Sequence, residues 1–62
     1  MTTAAAYANR KLLVVDDEPL IRETLSLCLR DEYEVTAVAS GEEAIEASLK
    51  EDFPVVILDL RM

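Results

Sequence analysis

The sequence predicts an α/β fold built on a parallel sheet, with its elements in the order βαβαβ. Two continuous apolar runs, residues 11–15 (KLLVV) and 55–58 (VVIL), have strand character, and so does one alternating segment, residues 33–39 (YEVTAVA). The segments between them have helical spacing, and connections long enough to hold helices are typical of parallel strands. We therefore expect three strands of one sheet, joined by two helices.

The first strand is predicted to be buried on both faces, because residues 11–15 are apolar at almost every position. Pro19 suits the first position of a helix, and helical spacing continues from it to about residue 32. We interpret Cys28, the single cysteine, as a small packed hydrophobe. The spacing divides this helix into an inner face (Ile21, Leu25, Cys28 and Leu29) and residues largely away from it (Arg22, Glu23, Ser26 and Arg30).

The second half of the chain repeats the pattern of strand and helix. Residues 33–39 alternate between apolar and polar side chains, which indicates a half-exposed strand at a sheet edge. Ser40 can cap the next helix, and Glu43 completes an S-x-x-E capping box. Pro54 can only open the third strand, because proline cannot donate to the middle of a sheet. The second helix is expected to end near Glu51 or Asp52 and to bury Ala44, Ile45, Ser48 and Leu49.

The composition of the strands predicts their order in the sheet. Strands one and three are apolar throughout and should be central, whereas strand two should lie at an edge, which gives the order 2-1-3. Parallel crossovers are right-handed in nearly all cases, and the direction reverses between the two crossovers. One helix should therefore cover each face, which makes the sheet doubly wound. Strand three then has no outer neighbour, and its composition implies a fourth strand that the sequence does not contain.

The bulk properties indicate a small acidic protein of the cytoplasm. The 62 residues carry a net charge of −7, which argues against direct nucleic acid binding because that requires a basic surface. No apolar run approaches the roughly 20 residues that cross a bilayer. Residues 1–9 have no features of a secretory signal and are expected to form a flexible tail.

Three carboxylates are predicted to meet at one edge of this sheet. Asp16 and Asp17 directly follow strand one, and Asp59 ends strand three. In open α/β sheets, the carboxyl edge at the point where the winding reverses is where ligands bind. Oxygen-only ligands favour Mg²⁺, with Mn²⁺ as a second possibility. Taken singly, an acidic pair after a strand is often a helix cap, and an acid at a strand end often begins a loop.

The segments LLVVDDEP, SGEEAIE and VVILDLRM together resemble the N-terminal half of a response regulator receiver domain of two-component signalling. The resemblance covers residues 10–62. It implies a flavodoxin-like sheet of five parallel strands in the order 2-1-3-4-5, of which three are present. It also implies that Asp59 accepts a phosphoryl group from a sensor histidine kinase or a histidine phosphotransfer protein. Asp17 would bind Mg²⁺ directly, Asp16 would help to position it through water, and the backbone carbonyl of Arg61 would be a further ligand beside Asp59.

The sequence departs from the family after Met62, where the family supplies a Ser or Thr after strand four and a Lys after strand five. We therefore expect residues 10–62 to be a truncated receiver that is inactive or impaired alone. It is expected to be a signalling receiver and not an enzyme, because autophosphatase activity would need the missing half.

Other readings of the chain remain open. The exposed edge of strand three favours an interaction fragment that self-associates through this strand. A metal-dependent phosphatase is a weaker reading, because its acids follow strand one as D-x-D, whereas Asp16 and Asp17 are adjacent. Dinucleotide binding is weaker still, because Gly41 is the single glycine and no G-x-G-x-x-G follows strand one.

Overall fold

The computed structural model describes residues 10–59, except for the side chain of residue 59. The predicted tail, residues 1–9, and the predicted ligand Arg61 lie outside the described residues. The predicted order of elements is confirmed: β1 (Lys11–Asp16), α1 (Pro19–Leu29), β2 (Glu34–Val38), α2 (Gly41–Lys50) and β3 (Val55–Asp59).

The sheet has the predicted strand order, β2-β1-β3, and both strand pairs are parallel. In the register, Leu12 lies opposite Val35 on one side and Val55 on the other. The central strand is thus the first of the described strands. The chain runs from β1 to β2 through α1, and from β2 across to the other side of β1 through α2. The chain is an α/β protein with three strands of a flavodoxin-like sheet.

Among the described residues, all the fully buried side chains belong to β1. Successive side chains of a strand point to opposite faces of the sheet. A run of buried neighbours therefore requires that both faces are covered. Both α1 and α2 contact β1. The burial of both faces of β1 agrees with the predicted placement of one helix on each face, which right-handed crossovers produce. Five consecutive side chains of β1 are at most 1% exposed: Leu12, Leu13, Val14, Val15 and Asp16.

Helix α1 begins as predicted but ends earlier. Glu18 is the N-cap residue and Pro19 follows it in the first turn. The helix ends at Leu29 rather than near residue 32. The carbonyl oxygen of Leu29 accepts the backbone N–H of Tyr33 at 2.9 Å, which turns the chain directly into β2. The last residues of the predicted helix therefore form this turn.

The buried face of α1 is rotated from the predicted one. Leu25 and Leu29 are half-buried as expected, but Ile21 and Cys28 are exposed, so the interpretation of Cys28 as packed is wrong. Of the described strands, α1 contacts β1 and β2 alone, so a narrow stripe is enough to cover the contact. The residues that complete this stripe, Arg22 and Ser26, are two that the sequence predicts to lie away from it.

Strand β2 lies at the sheet edge, as predicted, and is half-exposed. The simple alternation of its side chains is not seen, however, because Ala37 is exposed and Thr36 is half-buried. Both helices contact β2, so each of its faces is partly covered. The two faces therefore differ less in burial than the sequence pattern indicates.

Helix α2 is capped as predicted. The Ser40 hydroxyl accepts the backbone N–H of Glu43 at 3.2 Å. The Glu43 carboxylate accepts in return from the N–H of Ala39 at 2.9 Å, one residue before the usual donor of a capping box. The helix ends at Lys50, and Glu51 then forms a salt bridge of 3.2 Å with Lys11 at the start of β1.

The buried face of α2 is also narrower than predicted. Ala44 and Ala47 are half-buried, whereas Ile45 is 64% and Leu49 82% exposed, and Ser48 is exposed too. Among the described elements, α2 contacts only β1 and β2. The wide apolar stripe predicted from periodicity therefore extends beyond the part of the sheet that α2 reaches.

Strand β3 is apolar, yet it lies at the edge of the described sheet. It pairs with β1 alone among the described strands, and Val55, Val56 and Leu58 remain exposed. None of the helices in residues 10–59 is long and apolar enough to cross a membrane.

Candidate functional site

The carboxyl edge of the sheet brings together two of the predicted site residues at the level of the backbone. Asp16 is the last residue of β1 and Asp59 the last of β3, and their Cα atoms are direct partners in the parallel register. This register follows from the pairing of the apolar runs, since Leu12 to Val15 lie opposite Val55 to Leu58. The sheet therefore delivers both acids to the same edge.

Asp16 has an unusual environment for a carboxylate. Asp16 is only 1% exposed. The Oδ1 atom accepts the backbone N–H of Glu18 at 2.9 Å, as Asp side chains do in turns. The Oδ2 atom is buried and has no hydrogen-bond partner among the residues that the structure describes. Buried polar groups normally have partners, and an orphaned charged oxygen is costly, so this atom points to a missing donor or cation.

Asp17 differs from its neighbour in sequence because it is exposed, beyond the end of β1. A carboxylate in this position stays hydrated and can exchange water for another ligand. The acidic pair is therefore divided into a buried carboxylate, Asp16, and an accessible one, Asp17.

Arg22 contacts the candidate site, although its spacing in the sequence predicts that it lies away from the inner face of α1. Its Nη1 atom donates a hydrogen bond of 2.8 Å to the backbone carbonyl oxygen of Asp16. Arg22 lies three, four and seven positions before Leu25, Ser26 and Leu29, so it shares with them the face of α1 that contacts the sheet. A cationic side chain on an inner helix face usually has a partner, because long charged side chains are rarely buried unpaired.

The donor atoms at this edge suit a hard divalent cation. No group of three Asp, Glu, His or Cys side chains within the described residues is arranged to hold a metal ion. The predicted group needs the side chain of Asp59 and the carbonyl of Arg61, which lie outside that description, so the predicted ligand set stays a prediction. The residues that are described fit such an ion, because the orphaned Oδ2 of Asp16 and the exposed carboxylate of Asp17 both supply oxygen ligands.

Comparison with known proteins gives a consistent family. The model described as "Response regulator receiver domain" matches residues 12–62. The transcriptional regulatory protein ResD of Bacillus subtilis (strain 168) is 42% identical over 53 residues, which cover 84% of this chain and 22% of that protein. The transcriptional regulatory protein SrrA of Staphylococcus aureus (strain NCTC 8325 / PS 47) is 33% identical over 55 residues, or 87% of this chain and 23% of that protein.

The chain thus spans less than a quarter of the length of these curated relatives. No solved structure matches the chain significantly.

Proposed function

The chain belongs to the response regulator receiver domain family, and on that premise we propose that it is the phosphoryl-accepting receiver of a two-component phosphorelay. The family serves signalling, and its members are phosphorylated by histidine kinases. The partner we propose is a sensor histidine kinase or a histidine phosphotransfer protein, in the cytoplasm. We do not propose nucleic acid binding by this chain, because its net charge is −7.

Asp59 is the proposed acceptor. A carboxylate oxygen of Asp59 attacks the phosphorus of a phosphohistidine, and the O–P bond forms as the P–N bond breaks. The electron pair of the broken bond returns to the imidazole nitrogen of the donor. The observation that carries this proposal is the register of β1 and β3, which pairs the Cα of Asp59 with the Cα of the buried Asp16.

The proposed metal site uses the same edge of the sheet. Asp17 and Asp59 would bind Mg²⁺ through their carboxylates and Arg61 through its backbone carbonyl, while Asp16 would position the ion through water. Mn²⁺ would fit the same oxygen ligands. When bound, the ion screens the negative charge of the incoming phosphoryl group and of the carboxylates around it. The orphaned Oδ2 of Asp16 supports a cation here.

Phosphoryl transfer to the intact gene product tests the acceptor. The protein is incubated with labelled acetyl phosphate or with a cognate kinase, in the presence of Mg²⁺, and the label is measured on the wild type and on Asp59→Asn. Asp31→Asn is a matched control, because Asp31 is an exposed acid in the turn after α1. We expect label on the wild type and the control and none on Asp59→Asn. Equal labelling of all three would reject the assignment.

The isolated 62-residue chain is expected to label more slowly than the intact product. The resemblance implies that a Ser or Thr after strand four and a Lys after strand five contact the phosphoryl group. The strands predicted within residues 1–62 are the first three. The same assay on both proteins measures this difference, and equal rates would contradict it.

Self-association through β3 is a second candidate function, and the exposure of this strand favours it. Val56 is 45% and Leu58 61% exposed, and the outer edge of β3 has no strand partner among the described residues. Such edges tend to pair with another chain, so the proposed occupant is a second copy of this chain. Light scattering of the 62-residue chain and of Val56→Lys at micromolar concentration tests this. A folded wild-type monomer would contradict the idea.

A further inference from the structure

Three hydrogen bonds form a closed ring at the junction of β1 and α1. The Oδ1 atom of Asp16 accepts the backbone N–H of Glu18 at 2.9 Å. The carbonyl oxygen of Glu18 accepts the backbone N–H of Arg22 at 3.0 Å. The Nη1 atom of Arg22 then donates to the carbonyl oxygen of Asp16 at 2.8 Å. The ring joins the end of the buried strand to the first turn of the helix.

This ring fixes both the side chain and the backbone of Asp16. Because Oδ1 accepts from Glu18, the oxygen that lacks a partner among the described residues, and can face another ligand, is Oδ2. The carbonyl that Arg22 holds belongs to the peptide between Asp16 and Asp17, so its orientation sets the direction in which the chain leaves β1 towards Asp17. Arg22 is half-buried, and its bond to the carbonyl is therefore partly shielded from competing water.

The positive charge of Arg22 and its hydrogen bond have opposite effects on the affinity of the site for a cation. A guanidinium next to a cation site repels the cation, so removal of the charge alone would tighten cation binding. Loss of the hydrogen bond would release the Asp16–Asp17 peptide and weaken binding. The two effects have opposite signs, which makes them separable by experiment.

We propose that Arg22 is a positioning residue for the divalent-cation site, acting through the peptide that joins Asp16 to Asp17. This inference rests on the proposed function, since it requires that the acidic edge binds a cation. Groups that orient metal ligands from outside the coordination sphere typically change metal affinity by about tenfold or more when they are removed. Arg22→Met should therefore weaken cation binding even though it removes a repelling charge.

The test measures the dissociation constant of Mn²⁺, used as the probe ion, by electron paramagnetic resonance on the intact gene product without any phosphodonor. Arg22→Met is compared with Arg30→Met, which makes the same charge change at an exposed residue at the other end of α1. Arg22→Lys keeps a charge and a donor. Asp17→Asn tests whether the ion binds at the acidic edge. Melting in EDTA reports on the stability of the metal-free fold.

We expect the Mn²⁺ dissociation constant of Arg22→Met to rise about tenfold, and that of Arg22→Lys to rise less. The constant for Arg30→Met should not rise. If Arg22→Met does not fold, Arg22→Gln is judged by the same criterion. An unchanged or lower constant for Arg22→Met, or an equal rise for Arg22→Lys, would overturn the positioning role. Absence of Mn²⁺ binding by the wild type, or no effect of Asp17→Asn, would instead reject the metal site of the proposed function.

Discussion

Replacing Asp16 by Asn is expected to stabilise the metal-free protein and to reduce its stabilisation by Mg²⁺. Asp16 is 1% exposed and its Oδ2 atom has no partner within the described part of the chain, so the wild type buries an incompletely satisfied carboxylate. Asn has nearly the same volume and keeps an oxygen that can accept from the N–H of Glu18. The change therefore removes the charge and leaves the described hydrogen bond of Oδ1 in place.

The magnitude follows from the two desolvation costs. A buried ion without a partner costs several kcal/mol in a protein, whereas a neutral buried group without a partner costs about 1–3 kcal/mol. The free energy of unfolding in EDTA should therefore rise by about 1–3 kcal/mol in Asp16→Asn. Each 1 kcal/mol corresponds to a rise in Tm of about 4–8 °C for a domain of 60–100 residues and of about 2–4 °C for one of 150–250 residues.

Added Mg²⁺ should reduce this difference in stability, because the ion stabilises the wild type more than Asp16→Asn. At a concentration 100 times its dissociation constant, a ligand that binds only the folded state stabilises it by about 2.7 kcal/mol. The wild type should gain this amount, and Asp16→Asn should gain much less because its site lacks the buried charge.

Thermal melting of the intact gene product, followed by circular dichroism in EDTA and in Mg²⁺, measures both effects. Asp31→Asn is the control for a loss of charge at an exposed position, and it should follow the wild type in both buffers. The reasoning is refuted if Asp16→Asn melts below the wild type in EDTA, or if Mg²⁺ raises the Tm of both proteins equally.

Three further predictions concern the scaffold, and urea denaturation measures each. Leu13→Ala should lower the free energy of unfolding by about 2–5 kcal/mol. Leu49 is 82% exposed, so Leu49→Ala should change this free energy by no more than about 0.5 kcal/mol. Equal losses in the two variants would contradict the assigned core. Ser40→Ala should lower the free energy of unfolding by about 1 kcal/mol, because it removes the N-cap of α2. Ser48→Ala, on the same helix, should not lower it. An unchanged stability of Ser40→Ala would show that the cap contributes nothing. Lys11→Met removes the salt bridge to Glu51, in which the lysine side chain is 38% exposed. The free energy of unfolding should fall by less than about 1 kcal/mol, and by less still at high salt concentration. A larger loss that does not depend on salt would contradict this prediction.

Features that depend on local chemistry or on the sheet as a whole could be predicted from the sequence. Ser40 and Glu43 make their cap through contacts within four residues, so the S-x-x-E pattern is sufficient to find it. The order β2-β1-β3 follows from which runs are apolar and from the handedness of crossovers. The juxtaposition of Asp16 and Asp59 follows in turn, because parallel strands end at the same edge.

The rotation of each helix could not be predicted in the same way. Periodicity gives an apolar stripe, but the part of the stripe that is buried depends on which strands the helix reaches. Ile45 and Leu49 are exposed because α2 contacts only β1 and β2 among the described elements. Periodicity does not predict the half-buried position of Arg22 for the same reason, since its bond to the carbonyl of Asp16 depends on the observed rotation of α1.

The position of the buried strand at the start of the chain has a consequence for biosynthesis. β1 supplies the core, yet Leu12 pairs with Val55, roughly 40 residues later in the chain. At a synthesis rate of about 5–20 residues per second, β1 leaves the ribosome about 2–8 s before β3 can pair with it. During that interval the apolar segment of residues 11–15 has no sheet partner on that side. Chaperones that bind short extended apolar peptides are therefore expected to bind residues 11–15 (KLLVV) before β3 pairs with them.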